Sequence, residues 1–201
     1  IDAYYIHNPE SQLGFVSEDE FYARLRKAFE FLESARANNK IRMYGVATWN
    51  GFRVPRESRQ YHSLPRMEEI AREVAGQSHG FKIVQLPFNL GMPEALTIQS
   101  QTIDGQDVSA IEAASALDIT LISSASILQG RVAQDLPETI REPLGSLATD
   151  AQTAIQFVRS TPGVTTALVG MSRKKHVEEN LQLVSVEPSS TEDFLRLFSD
   201  A

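Results

Sequence analysis

Residues 165–176 read Thr-Thr-Ala-Leu-Val-Gly-Met-Ser-Arg-Lys-Lys-His, and Val177-Glu178-Glu179-Asn180-Leu181 follow. The β-branched and apolar run at 165–169 predicts a strand. Gly170 interrupts it, and Val177 and Leu181, four apart, predict a helix over residues 173–184. Ser172 is of a type suited to cap that helix. Arg173, Lys174 and Lys175 would then stand in its first turn, where cations oppose the helix dipole. They form either a solvated basic patch or a seat for an anion. A strand, a glycine and a helix start with free amides make a ready phosphate site, and Arg173 and Lys174 suit a dianionic phosphate ester.

The same strand-then-helix unit recurs back along the chain. Strands are predicted at residues 1–6, 41–47, 82–86 and 119–123. Helices are predicted at 18–38, 64–75, 108–117, 147–160 and, beyond 173–184, at 191–198. The first helix places Phe21, Leu25, Ala28, Phe29, Leu32 and Ala35 on one face, and Ser17 with Glu20 gives it a capping-box signature. Alternation of this kind builds a parallel sheet with right-handed crossovers. Each unit takes about 40 residues, so five fill the chain; a closed barrel of eight typically takes about 250 residues and would need more here. Two architectures follow: an open five-stranded α/β sheet, or about the last five βα units of a TIM (β/α)8 barrel. No linker or low-complexity stretch divides the chain, so one domain over 1–201 is expected.

Composition narrows the function classes. The 201 residues carry 19 Lys plus Arg against 26 Asp plus Glu, a net charge of −7. That balance argues against a nucleic-acid footprint and against an anionic membrane surface. No apolar run approaches the roughly 18 residues of a membrane span. There is no cysteine, which removes disulfides, thiol catalysis and thiolate metal sites, and fits a reducing compartment such as the cytoplasm. His7, His62, His79 and His176 are too dispersed in sequence to suggest a metal site.

In parallel α/β folds ligands sit at the carboxyl ends of the strands. His7, Asn8, Pro9 and Glu10 follow the first strand, and a histidine there can bond a substrate oxygen or exchange a proton. Thr48, Trp49 and the Asn50-Gly51 turn follow the second; Trp49, the only tryptophan, is either a core or rim aromatic or a pocket wall. Gln85 in the third run, and Asn89 after it, are either satisfied core amides or groups that read another amide.

Five pieces, in order and with fitting spacing, resemble the aldo-keto reductase superfamily. They are Ile1-Asp2-Ala3-Tyr4-Tyr5-Ile6-His7, Lys40-Ile41-Arg42-Met43-Tyr44-Gly45-Val46-Ala47, Val84-Gln85-Leu86-Pro87-Phe88-Asn89-Leu90, Gln129-Gly130-Arg131, and Ala167-Leu168-Val169-Gly170-Met171-Ser172 running into Glu178-Glu179-Asn180-Leu181. The resemblance implies strands four to eight of the barrel, with the three N-terminal βα units lacking. It implies an extended nicotinamide cofactor, NADPH (NADP), and a small-molecule aldehyde or ketone as substrate. His7 matches the catalytic histidine, and Gln85 the glutamine that bonds the nicotinamide carboxamide. Residues 125–129, with Ala125, Ser126 and Ile127, match the segment over the pyrophosphate. Gly170, Ser172, Arg173 and His176 match the seat of the adenosine 2′-phosphate, and Glu179 and Asn180 the pair that reads the adenine.

The chain departs from the family in three places. Ala47-Thr48 replaces the usual Ser-Asn or Ser-Thr, leaving Thr48 to supply a hydroxyl. Ser124 stands where an aromatic residue usually stacks on the nicotinamide. Of the tetrad Asp, Tyr, Lys and His, only the histidine has a counterpart, so the chain alone is expected to be catalytically incomplete. The expected activity is NADPH-dependent carbonyl reduction by the parent protein. A non-catalytic NADPH-binding sensor of the same fold, and an unrelated α/β protein binding a sugar phosphate at 172–175, are the alternatives.

Overall fold

A computed structural model describes residues 1–198. The strand–helix alternation that the sequence predicts is present, with α3, α5 and the short strands β4 and β5 in addition: β1 (Ala3–His7), α1 (Glu18–Ala37), β2 (Met43–Ala47), α2 (Leu64–Ala75), β3 (Phe81–Pro87), α3 (Glu94–Thr97), β4 (Gln101–Ile103), β5 (Gln106–Val108), α4 (Ala110–Ala116), β6 (Thr120–Ser124), α5 (Glu138–Arg141), α6 (Asp150–Ser160), β7 (Val164–Ala167), α7 (Lys174–Leu181) and α8 (Thr191–Arg196). Five strands form a parallel sheet in the order β1-β2-β3-β6-β7, and β4 with β5 make a separate antiparallel hairpin. The last three residues of the expected 1–201 domain lie outside the described residues. Contacts divide the chain into two compact units, one of residues 1–86 and 94–121, the other of residues 87–93 and those from 122 onward.

In the first unit, α1 starts where Ser17 Oγ accepts the Glu20 amide at 3.3 Å, and it buries Phe21, Leu25, Phe29 and Leu32. Those are the positions that a 3.6-residue period puts on one stripe. Phe29 meets the rings of Tyr44 and Phe81, each with centroids 5.1 Å away. Burying a side chain of that size contributes roughly 1.5–3 kcal/mol. Helix α2 is capped by Ser63, carries Pro65 in its first turn, and stops at Gly76, whose φ of 69° suits a glycine. Gly45 answers a different demand. The β2–β3 register shifts between Tyr44 and Gly45, and a Cβ on Gly45 would stand 1.5 Å from the Ile83 carbonyl oxygen.

The second unit is centred on α6, which buries Ala154, Ile155, Phe157 and Val158. Phe157 lies between Phe88 and Phe194, with centroids at 5.3 and 5.5 Å. The helix expected over 173–184 is shorter: α7 ends at Leu181 and continues as a tighter turn over Gln182–Ser185. Arg173 holds the cap position, not Ser172, and no side chain caps the helix. In the first unit, Val108 belongs to the hairpin and not to the following helix. Ser109 starts α4 with a full capping box, its side chain and that of Glu112 each bonding the other's amide.

Candidate functional site

The carboxyl ends of β1 and β2 are level, and Gln85, two residues before the end of β3, lies beside them. His7 pairs in register with Ala47, and Ala47 with Gln85. The Asn8 amide donates to the Ala47 carbonyl at 2.6 Å and the Thr48 amide to the Gln85 carbonyl at 2.9 Å, so the ladder continues one residue past the ends of β1 and β2. His7 is exposed and Gln85 half-buried, and neither side chain makes a hydrogen bond among the described residues. Both present free donors or acceptors at one rim. Thr48 differs: it is buried, and its Oγ1 accepts the Gly51 amide at 2.8 Å, closing the Asn50-Gly51 turn. Asn89 is likewise a satisfied core amide. Its Nδ2 donates to the Ala125 carbonyl at 2.9 Å and its Oδ1 accepts the Gly91 amide at 2.9 Å.

Sequence inspection passed over a buried pair next to this rim. Glu10, on the turn after β1, is 4% exposed and His62 is 0% exposed. Glu10 Oε1 accepts the Trp49 amide at 2.6 Å and the Asn50 amide at 3.2 Å. Glu10 Oε2 faces His62 Nε2 at 3.8 Å, too long for a hydrogen bond. Burial alone would raise the Glu10 carboxyl. The imidazole beside it, the Trp49 amide and the Thr48 hydroxyl more than offset that and hold it at about 2. The His62 ring stacks on Phe21 at 4.8 Å, and its Nδ1 lies 3.0 Å from the Tyr61 carbonyl. The only sequence signal was a glutamate within a turn immediately after a strand.

In the second unit, the loop after β6 is held in uncommon backbone conformations. Ala125, Leu128 and Gln129 have φ of 53°, 46° and 55°, the left-handed region that non-glycine residues seldom occupy. Besides Asn89, two serines brace it: Ser123 Oγ donates to the Phe88 carbonyl at 2.7 Å and lies 3.1 Å from Ser126 Oγ. Ser126 is therefore buried and structural, while Ser124 is half-buried with no side-chain hydrogen bond among the described residues.

A cavity of about 220 Å³ is lined by Ile127, Gly170, His176, Glu179 and Asn180, together with Lys175. Five residues expected to hold a nucleotide thus meet in one place. Ser172 and Arg173 are exposed and do not line it. Asn180 Oδ1 is buried with no hydrogen-bond partner, a rare state for a native polar atom. Glu179 is positioned from α6: Thr149 Oγ1 donates to its Oε1 at 2.8 Å and Gln152 Nε2 to its carbonyl at 2.7 Å. The volume suits one ring or phosphoryl group, being below the range of about 300–1,000 Å³ typical of whole-ligand pockets. Among the described residues no group of His, Asp and Glu could hold a metal ion, and no helix is long and apolar enough to cross a membrane.

No protein-family model matches the chain, and no curated protein matches it. Solved structures do. A thermostable aldo-keto reductase, Tm1743, crystallised with the inhibitor epalrestat, aligns over 100% of this chain and 60% of its own, with TM-score 0.64 and 18% identity. The aldo-keto reductase AKR11C1 from Bacillus halodurans, in its holo form, aligns over 100% and 61%, with TM-score 0.63 and 16% identity. An aldo/keto reductase from Klebsiella pneumoniae, in complex with NADP and acetate, aligns over 98% and 57%, with TM-score 0.64 and 18% identity. The chain spans about three fifths of the length of these structures, whose fold is the TIM barrel. This chain carries part of the aldo-keto reductase fold.

Proposed function

We propose that this chain supplies the nucleotide site and the carbonyl-orienting histidine of an NADPH-dependent aldo-keto reductase, which reduces an aldehyde or ketone to an alcohol. The observation that carries it is the cavity in which Ile127, Gly170, His176, Glu179 and Asn180 converge with a buried, unpartnered amide oxygen. Those residue types fit a nucleotide: Asn180 and Glu179 can accept from a base amine, and the cations nearby can offset phosphoryl charge. Bound NADPH supplies a hydride to the carbonyl carbon. His7 is free to donate a hydrogen bond to the carbonyl oxygen, and the Gln85 carboxamide to pair with another amide. The Tyr, Lys and Asp of the family's tetrad would come from outside these residues, so reduction is proposed for the whole protein, in a reducing compartment such as the cytoplasm.

The test is a fluorescence titration of the protein with NADPH and with NADH. Lys175 lines the cavity and makes no ion pair among the described residues. Replacing it by glutamate is expected to raise the NADPH dissociation constant about tenfold or more, about 1.4 kcal/mol, and to leave NADH nearly unchanged. Equal effects on the two nucleotides, or no NADPH binding by the unaltered protein, would overturn the proposal. A second reading, a nucleotide sensor, is favoured by Ser124 standing where an aromatic would stack. It requires NADPH binding without carbonyl reduction.

A further inference from the structure

Trp49 is 46% exposed, while Thr48 and Phe52 near it in the same turn are buried. Its backbone is nevertheless fixed on both sides. The amide donates to Glu10 Oε1 at 2.6 Å, and the carbonyl accepts from Arg53 Nε at 2.7 Å. Arg53 Nη2 also donates to Asn50 Oδ1 at 2.9 Å, and Asn50 donates its amide to Glu10. Glu10 itself is held three residues beyond His7, on the tight turn Pro9–Gly14. That turn is tied down in its own right, since Arg59 Nε donates to the Leu13 carbonyl at 2.7 Å.

A carboxylate is costly to bury unless its surroundings satisfy it. Here one oxygen is satisfied by two amides. The other is left facing His62 Nε2, and both atoms are buried without a hydrogen-bond partner. A residue retained on such terms contributes geometry: it joins the turn that follows His7 to the loop that carries Trp49. The β1–β2 register, with His7 opposite Ala47, sets the two loops side by side.

We propose that Glu10 is a positioning residue, which fixes Trp49 as an aromatic wall beside His7. The proposal rests on the assignment of the His7 rim as the carbonyl site. In this chain tryptophan emission comes from Trp49 alone, so its quenching by acrylamide reports the wall directly. Glu10→Ala is expected roughly to double the quenching constant, because a loop without its clamp opens an indole now 46% exposed to nearly full exposure. Glu10→Gln keeps an oxygen for the two amides and offers its NH₂ to His62, so it is expected to match the wild type. A folded Glu10→Ala protein with wild-type quenching overturns the proposal, and so does a Glu10→Gln protein that quenches like Glu10→Ala. Where Glu10→Ala fails to fold, hydrogen exchange of the Trp49 amide in the wild type decides. Exchange slowed about 100-fold or more, an opening free energy of about 2.7 kcal/mol, supports the clamp, and exchange at the rate of an open loop overturns it. NADPH titration of the same samples tests the rim assignment separately: a wild type that binds no nucleotide overturns that assignment, while the quenching comparison still decides what Glu10 does to Trp49.

Discussion

Glu10→Gln should remove a pH-dependent part of the stability, and its size follows from the site. The Glu10 carboxyl is held at about 2, against an ordinary 4.5. At about 1.4 kcal/mol per pH unit, ionised Glu10 contributes about 3 kcal/mol to folding at neutral pH. Its side chain is almost fully buried, so solvent screening takes little from that figure. The sign is fixed by the depressed value. The contribution is complete above pH 4.5, falls as the unfolded chain begins to bind the proton that the folded one refuses, and is gone below pH 2. About 2 kcal/mol of it should be lost by pH 3. Urea unfolding of wild type and Glu10→Gln at pH 7, 5, 4 and 3 measures this directly. The gap between the two proteins should narrow by about 2 kcal/mol from pH 7 to pH 3. A gap that stays constant across that range would refute the electrostatic account of the buried pair.

Two further predictions concern the scaffold. Gly45→Ala puts a methyl 1.5 Å from the Ile83 carbonyl oxygen, so β2 and β3 must part; a loss of about 4 kcal/mol or more, or failure to fold, should appear in thermal unfolding. Phe29→Ala empties the centre of the Phe29, Tyr44 and Phe81 cluster and should cost about 3–5 kcal/mol in urea unfolding.

The period of apolar residues made the main elements legible. Residues 64–75 were expected as a helix and α2 occupies that span, and the Ser17 cap on α1 is observed. Where a feature spans only three residues, periodicity has nothing to measure. The hairpin of β4 and β5 was invisible for that reason, although Asp104 and Gly105 form its left-handed tip, with φ of 50° and 79°. Ser172 was expected to cap α7 from its residue type alone; the backbone places Arg173 there instead. Of the residues that the resemblance matches to a nucleotide seat, five line one cavity; four of these stand between 170 and 180, close enough in sequence to meet in space. Glu10 and His62 were not legible, since fifty-two positions separate them and only the tertiary fold makes them a pair. Thr48 was expected to offer a free hydroxyl; its oxygen closes a turn instead.

The bracing of the loop after β6 bears on how quickly a guest can settle there. A mobile phosphate-gripping segment surrenders its freedom at the moment of capture, which weakens association and slows it. Here Asn89, Ser123 and Ser126 have already taken that freedom away during folding. On the proposed nucleotide reading, an incoming molecule would dock onto a finished surface with little ordering left to undergo.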